Sequence, residues 1–395
     1  MTDRVADYDV LIAGAGLVGL ALAAALARIG LSVALADRAG VAPAAASPAA
    51  DDWDARIYAI SPGSAAFLGE TGAWQALPPD RIAPVESMRV EGDGGSLLRF
   101  SAYEQGERAL AWIVEERALR AALIPLLHSS GVAVHAPCTF ESLSFSAEAA
   151  VLQLTGGTLL SARLLVGADG LRSWVREACG LRAVVRPYGQ TAVVANFSCE
   201  RSHRGRAYQW FRRDGGILAW LPLAGRRVSM VWSAPDAQAR ELLALPAATL
   251  SARVAAEGDH ALGGFHALGP SAGFPLQLVK LPAMVARRLA LVGDAAHGVH
   301  PLAGQGVNLG FGDAQALATV LRERGPLADP GAPILLDRYA RRRAEPVLAM
   351  QTVTDALARL FGATTPLVRA MRNLGMAALD RLPPAKRLLA QSALR

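Results

Sequence analysis

The sequence predicts an α/β fold: a parallel sheet with helices packed on it, assembled from separated stretches of chain, with a mostly antiparallel β-sheet region inserted between them and helices at the C-terminus. Three observations carry this expectation. Asp9 to Asp37 reads as strand, helix and strand in close succession, the pattern of one βαβ unit. Buried-strand runs of the same apolar character return far downstream, at residues 163–168 and 288–292. Between them, from Gln190 to about Leu281, the apolar residues alternate, as in 191–197, 217–221 and 227–232, which is the period of a sheet with one buried face.

In chain order, residues 9–13 form the first strand, 17–29 a helix stopped by Gly30, and 31–37 the second strand. Residues 41–51 are an Ala/Pro-rich loop. Ser61 and Pro62 have the chemistry of an N-cap and first helical position, for a short helix running toward Gly72. Residues 88–100 hold two strand-like runs around Gly92-Asp93-Gly94-Gly95, and 115–129 is helical. Residues 132–166 read as short strands with a hairpin turn at Thr155-Gly156-Gly157-Thr158. After the inserted region, 305–324 is a helix, 326–333 a linker, and most of the remainder helical. The implied division is discontinuous: 1–80 with 105–185 and 283–330 as a Rossmann-like nucleotide-binding domain, 81–104 with 186–282 as a β-rich substrate domain, and 331–395 as a C-terminal helical region.

Composition narrows the class. A chain of 395 residues, 52% hydrophobic and 19% charged, can bury a large core and is no disordered protein. Aromatics make up only 6%, so Ala, Leu and Val must fill most of that core. The three cysteines, Cys138, Cys179 and Cys199, form no CxxC pair and are odd in number, which points to a reducing compartment and inert thiols. The net charge of +6 is uneven: from Arg338 to Arg395 eleven Arg/Lys face three Asp/Glu. This tail carries no nucleic-acid motif, so it is a candidate for contact with an anionic membrane surface, with Leu348, Met350, Leu357, Leu360 and Phe361 as its apolar part. The uncharged run from Val10 to Ala27 is interrupted by three glycines and is better explained as strand plus helix than as a membrane span. The start of the chain carries Asp3, Asp7 and Asp9 against Arg4, unlike a signal peptide, so a cytoplasmic location is expected, with peripheral contact at the inner face of the membrane.

Four segments carry chemistry. Gly14-Ala15-Gly16-Leu17-Val18-Gly19 lies between the first strand and helix, where Gly14 allows the tight turn, Gly16 the approach of a pyrophosphate, and Gly19 close helix–sheet packing. Asp37 ends the second strand, placed for ribose hydroxyls. Gly167-Ala168-Asp169-Gly170 and Gly293-Asp294-Ala295-Ala296-His297 each follow a buried strand, where an Asp accepts hydrogen bonds from a polyol or, taken alone, caps a turn. Pro301-Leu302-Ala303-Gly304-Gln305-Gly306-Val307-Asn308 places two glycines around Gln305 where a helix begins, a backbone arrangement suited to an anion or to a reduced flavin. His297 and His300 are spaced i, i+3 with no third ligand apparent, so a loop role is expected and no metal. Gly269-Pro270-Ser271-Ala272-Gly273 matches GxSxG, but the extended, Pro-containing stretch after it is not the helix a nucleophile elbow needs. Trp210, Phe211 and Trp220 are expected in the β-region core rather than in a substrate wall.

Taken in order, Gly14–Gly19, Asp169-Gly170 and Gly293-Asp294 resemble the three motifs of the single-component FAD-dependent aromatic hydroxylases. The segments from Asp54 to Ser61, from Tyr188 to Val194 with His203, Ala207 and Phe211, and from His300 to Gly310 are similar to the ubiquinone-biosynthesis hydroxylases (the UbiH/UbiF-like group). The resemblance implies FAD as cofactor. Gly14, Gly16, Gly19 and Asp37, with Arg38 beside it, would hold its ADP part, though that family more often has Glu at the Asp37 position. Arg56 and Arg117 would lie along the phosphates and ribityl region, Asp294 on the ribityl chain, and Asp169 on both FAD and a transient nicotinamide. Gly293 belongs to the same set, and Pro301, Gly304, Gln305, Gly306, Val307 and Asn308 would line the isoalloxazine; Pro301, Gly304 and Gly306 are the nearest to candidate catalytic positions. The chemistry implied is reduction of FAD by NAD(P)H, addition of O₂ at C4a, and transfer of OH from the flavin hydroperoxide to a hydrophobic, electron-rich aromatic ring, a polyprenylphenol, within a ubiquinone-biosynthesis complex. Residue chemistry leaves other readings open: hydroxylation of a small soluble phenol, a flavin-dependent prenyl reductase on the same fold, or a non-catalytic FAD-holding scaffold subunit.

Overall fold

The computed structural model describes residues 6–41, 52–300 and 304–362, with 365, 372–376, 379, 380 and 386. The strand Tyr8–Ala13 pairs in parallel with Val33–Ala36 on one side and Leu159–Gly167 on the other. Ala133–His135 extends the sheet in parallel beyond the former, and Leu289–Leu291 beyond the latter. The parallel strands therefore come from distant parts of the chain, as expected. Val10, Leu11, Ile12 and Ala13 are fully buried because helices cover one face and other chain segments the other. Helix Leu17–Arg28 lies at the centre of that cover, against helices Glu116–Ser129 and Gly306–Arg322. Its sequence, LVGLALAAALAR, is apolar nearly all round, and its alanines let the neighbouring helices approach closely.

The second sheet has eight strands. Its path runs Phe265–Ala267, Val184–Cys199, Arg227–Pro235, Ile217–Leu223, Arg206–Phe211, Ser87–Glu91 and Leu97–Ser101, with Ala272–Lys280 also paired to Val184–Cys199. All neighbours are antiparallel except Arg206–Phe211 with Ser87–Glu91. Two of these strands, the hairpin about Gly92–Gly95, come from early in the chain. Trp210, Trp220 and Trp232 are buried here with Phe197 and Phe265, so Trp210 and Trp220 belong to the core. Helices Asp236–Ala244 and Ala247–Glu257 cover this core; the alternation read from sequence over 190–281 did not anticipate them. Their buried positions Leu250, Ser251, Val254 and Ala255 do follow helical spacing, but small residues give that face little contrast. Gly269–Gly273 leads into the strand Ala272–Lys280 and not into a helix, as the Pro-containing continuation implied. A three-stranded antiparallel sheet, Ile57–Ile60, Ala111–Glu115 and Ile82–Val85, completes the β structure.

The long helix Pro333–Gly362 fastens the two large sheets to each other. Tyr339 donates to the Leu291 carbonyl of the parallel sheet at 2.9 Å, and Gln351 donates to Val279 of the second sheet at 2.8 Å. Further along, Asp355 pairs with Arg186, and Phe361 stacks on Phe211. Arg372 and Asp93 form an ion pair that is almost wholly buried. Phe361 of the basic tail is thus core, whereas Leu348 is 63% exposed. Among the described residues, no helix is long and apolar enough to cross a membrane.

Candidate functional site

The glycine fingerprint occupies the turn between the first strand and helix Leu17–Arg28. Gly14 has φ +118°, and a Cβ there would strike the Ala168 carbonyl. A Cβ on Gly19 would strike the Gly14 carbonyl, so these two glycines are required by packing. Gly16 differs: its φ of −69° suits any residue, and a Cβ would meet nothing within 4 Å. The helix start behind it has no side-chain cap, so its first N–H groups are left without a partner from a capping side chain. Asp37 is held beside this loop, accepting from Ala15 N at 2.5 Å and Ala39 N at 2.6 Å. Arg120, which sequence reasoning missed, donates to the Ala15 carbonyl at 2.7 Å from helix Glu116–Ser129. Arg38 is exposed and lies 5.7 Å from the Phe140 ring centroid.

Not every expected side chain reaches the cleft. Arg117 is drawn into ion pairs with Asp52 at 2.9 Å and Glu115 at 3.1 Å. Asp169 accepts from Ser173 Oγ and from Val175 N, the start of helix Trp174–Ala178, so both its oxygens serve as a cap in this arrangement. Arg56 is half exposed and paired with Glu116 at 3.3 Å, the Phe274 ring 5.1 Å away, but it stands near enough to the cleft to act on Asp294. Tyr58 donates to the same Glu116 carboxylate at 3.3 Å.

Asp294 does reach the cleft. It follows Gly293 (φ +60°), makes no hydrogen bond to a described residue, and is open to solvent while protein surrounds it on most sides. That enclosure pushes its carboxyl above the usual carboxylate range, against the opposing pull of His297 and Arg56. Behind it lies Asp313, fully buried on helix Gly306–Arg322, which accepts from Gly293 N (2.8 Å), His297 Nε2 (2.6 Å) and Arg343 Nε (2.6 Å). Although burial opposes ionisation, these partners hold Asp313 below the usual range.

Pro301, with Leu302 and Ala303, lies outside the described residues. Gly304 takes φ +66° against Ala59, and Gln305 precedes helix Gly306–Arg322, whose start has no side-chain cap. Gly306 and Val307, in its first turn, are half-buried. Asn308 is buried and bonded at both ends, accepting from Ser61 N at 2.9 Å and donating to the Ala59 carbonyl at 2.8 Å. It holds the helix start against the strand Ile57–Ile60. His297 and His300 diverge, the first to Asp313 and the second to Gln190, whose Oε1 lies 3.2 Å from His300 Nε2.

The residues present fit FAD. An uncapped helix start above an open glycine suits a diphosphate, a carboxylate without a protein partner suits a polyol, and a second uncapped helix start suits a negatively charged ring system. Together with the discontinuous parallel sheet and its β-rich partner, they define the class: an FAD-binding oxidoreductase.

A family model described as FAD binding domain matches residues 143–355. The chain is 40% identical to ubiquinone hydroxylase UbiL of Rhodospirillum rubrum, over 99% of this chain and 90% of the relative. It is 34% identical to 3-demethoxyubiquinol 3-hydroxylase of Escherichia coli over 98% of each chain. The solved structure of PqsL of Pseudomonas aeruginosa in complex with 2-aminobenzoylacetate matches with a TM-score of 0.77 at 26% identity, over 93% of this chain and 99% of that one. The chain therefore belongs to the ubiquinone-biosynthesis family of FAD-dependent hydroxylases and is an FAD-dependent aromatic-ring monooxygenase.

Two variants separate cofactor binding from folding. The Cβ of Gly16→Val meets no protein atom within 4 Å, so its apoprotein is expected to melt within about 2 °C of wild type, the shift of a neutral surface change, while retaining no FAD on gel filtration; retention of flavin absorbance would contradict the placement of the diphosphate. Asp294→Asn removes a carboxylate whose folded pKa is raised. Such a group favours folding fully only below its unfolded pKa, and that contribution is lost as pH rises through the folded value. Urea unfolding of the apoproteins is therefore expected to show the variant more stable at pH 7, the gain closing as pH falls into the ordinary carboxylate range.

Proposed function

We propose that this chain hydroxylates the aromatic ring of a polyprenylphenol precursor of ubiquinone, with O₂ as oxidant and NAD(P)H as reductant. The observation that carries the reading is a seam between cofactor cleft and β-rich sheet. Gly298, four residues after Asp294, exchanges backbone hydrogen bonds with Val279 of the strand Ala272–Lys280, at 3.0 and 3.2 Å. The segment from Asp294 to His300 thus borders the FAD cleft on one side and the second sheet on the other, where a ring can meet the flavin. The names of the relatives support the substrate class.

FAD, when bound, supplies the electron transfer and oxygen activation that side chains lack. Overall, one oxygen atom enters the ring as hydroxyl, the other leaves as water, and the reductant gives two electrons. The chain's own part is binding and positioning. The helix start at Leu17 would offer N–H groups to the diphosphate, and Asp294 would accept from polyol hydroxyls. The helix start at Gly306 would suit the negatively charged ring, and Asn308 keeps that start in register. One glycine fingerprint, that of Gly14–Gly19, would be taken by FAD, and the proposal has the nicotinamide dock transiently.

The long helix adds a membrane proposal. Leu348, Val353 and Leu360 are exposed on it, with Arg341, Arg342 and Arg359 also exposed along its length. Exposed apolar side chains and arginines along one helix suit the surface of an anionic bilayer, where a polyprenyl substrate resides.

Holoprotein supplied with NAD(P)H, air and a polyprenylphenol is expected to yield a product heavier by one oxygen atom, detected by mass spectrometry. Turnover that persists without O₂ would identify a reductase instead. Co-sedimentation with anionic vesicles is expected at low salt and is expected to weaken at high salt; absence of binding at low salt removes the membrane proposal.

A further inference from the structure

The strand Val184–Cys199 is irregular along one edge only. Against Ala272–Lys280, Pro187 faces Gln277 while Thr191 faces Pro275, so four steps on one strand match two on the other. The excess is Tyr188-Gly189-Gln190, with Gly189 at φ +65°. A bulge of this kind re-aims side chains, and such bulges concentrate beside active sites. Here both flanking side chains turn to His300. The Tyr188 ring meets the imidazole edge-to-face at 4.9 Å, and Gln190 lies at hydrogen-bond distance from Nε2.

Gln190 also fixes the tautomer. Its Nε2 donates to the Gly215 carbonyl at 3.2 Å, which leaves Oε1 to face His300. An amide oxygen only accepts, so His300 Nε2 carries the proton and Nδ1 is a bare lone pair. His300 is 1% exposed, and Nδ1 has no hydrogen-bond partner among the described residues. A buried acceptor left unmatched is costly, which points to a donor outside the chain. Burial pushes His300 down to about 4, against the opposing pull of Asp355, so the ring is neutral at physiological pH.

We infer that His300 is a specificity-determining residue for the phenolic substrate: its unprotonated Nδ1 accepts a hydrogen bond from the ring hydroxyl, with Gln190 and the bulge holding the imidazole in that tautomer. The assignment rests on the hydroxylase reading above and deepens it. Accepting from the hydroxyl draws electron density into the ring, which favours attack by an electrophilic oxygen. It also orients the ring from the seam at which His300 stands, immediately before the flavin loop.

The test compares a short-chain prenylphenol with its methyl ether, which lacks the donor. Turnover of the phenol by wild-type holoenzyme is established first, so that a failure of the hydroxylase reading is separate from a failure of this one. Dissociation constants are read from the perturbation of flavin absorbance. Wild type is expected to bind the phenol about fivefold tighter than the ether, the effect of one hydrogen bond. His300→Leu is expected to keep FAD and to bind both ligands equally. Gln190→Leu frees the tautomer and is expected to narrow the preference, which decides the matter should His300→Leu fail to fold. Three outcomes overturn the inference: a wild type without preference, a preference unchanged in both variants, or a His300→Leu protein that folds but releases FAD, since Nδ1 would then serve the cofactor.

Discussion

The buried carboxylate of Asp313 is the contact on which the site depends. It lies on the helix that starts at the flavin loop, and it gathers a backbone N–H at Gly293, an imidazole at His297 and a guanidinium at Arg343. Those partners belong to the end of a parallel strand, the turn after it, and the long C-terminal helix. A charge removed this fully from water persists only when every lone pair is met, so the three elements are bound to one geometry. Asp294, next to Gly293, inherits its position from that network. The carboxylate of Asp294 faces solvent and makes no hydrogen bond to a described residue, which leaves both oxygens available to a ligand.

How much of this could be read from the sequence depends on the range of each cause. Gly14 and Gly19 were legible because the demand on them is local: a turn with positive φ, and a helix packed on the strand before it. Ser61 as a cap and Gly72 as a left-handed stop were legible for the same reason. The discontinuous sheet was legible because buried parallel strands are apolar throughout. Asp313, Arg343 and Arg120 were not, because nothing near them in sequence distinguishes a buried Asp from an exposed one. Arg120 meets a loop 105 residues away, and Arg343 meets Asp313 across 30. Arg117 shows the same limit from the other side. It lies one helical turn from Arg120, yet Asp52 and Glu115 claim it.

Function follows from a division of labour between the two sheets. The parallel sheet presents two helix starts without side-chain caps and the Asp294 carboxylate, groups whose chemistry suits the diphosphate, ring and polyol of FAD. Selection falls to the seam, where the second sheet is hydrogen-bonded to the segment between Asp294 and Asn308. The C-terminal helix, bonded to both sheets, keeps that seam at fixed separation.

The bulge at Tyr188-Gly189-Gln190 has an evolutionary consequence. Its surplus is confined to one edge of the strand; on the other edge the ladder with Arg227–Pro235 begins at Gln190 and continues without a shift to Ser198. Residues can be gained or lost at such a point without moving the register of the whole sheet. The side chains aimed at His300 can therefore vary with the length of this one strand while the ladder with Arg227–Pro235 keeps its register.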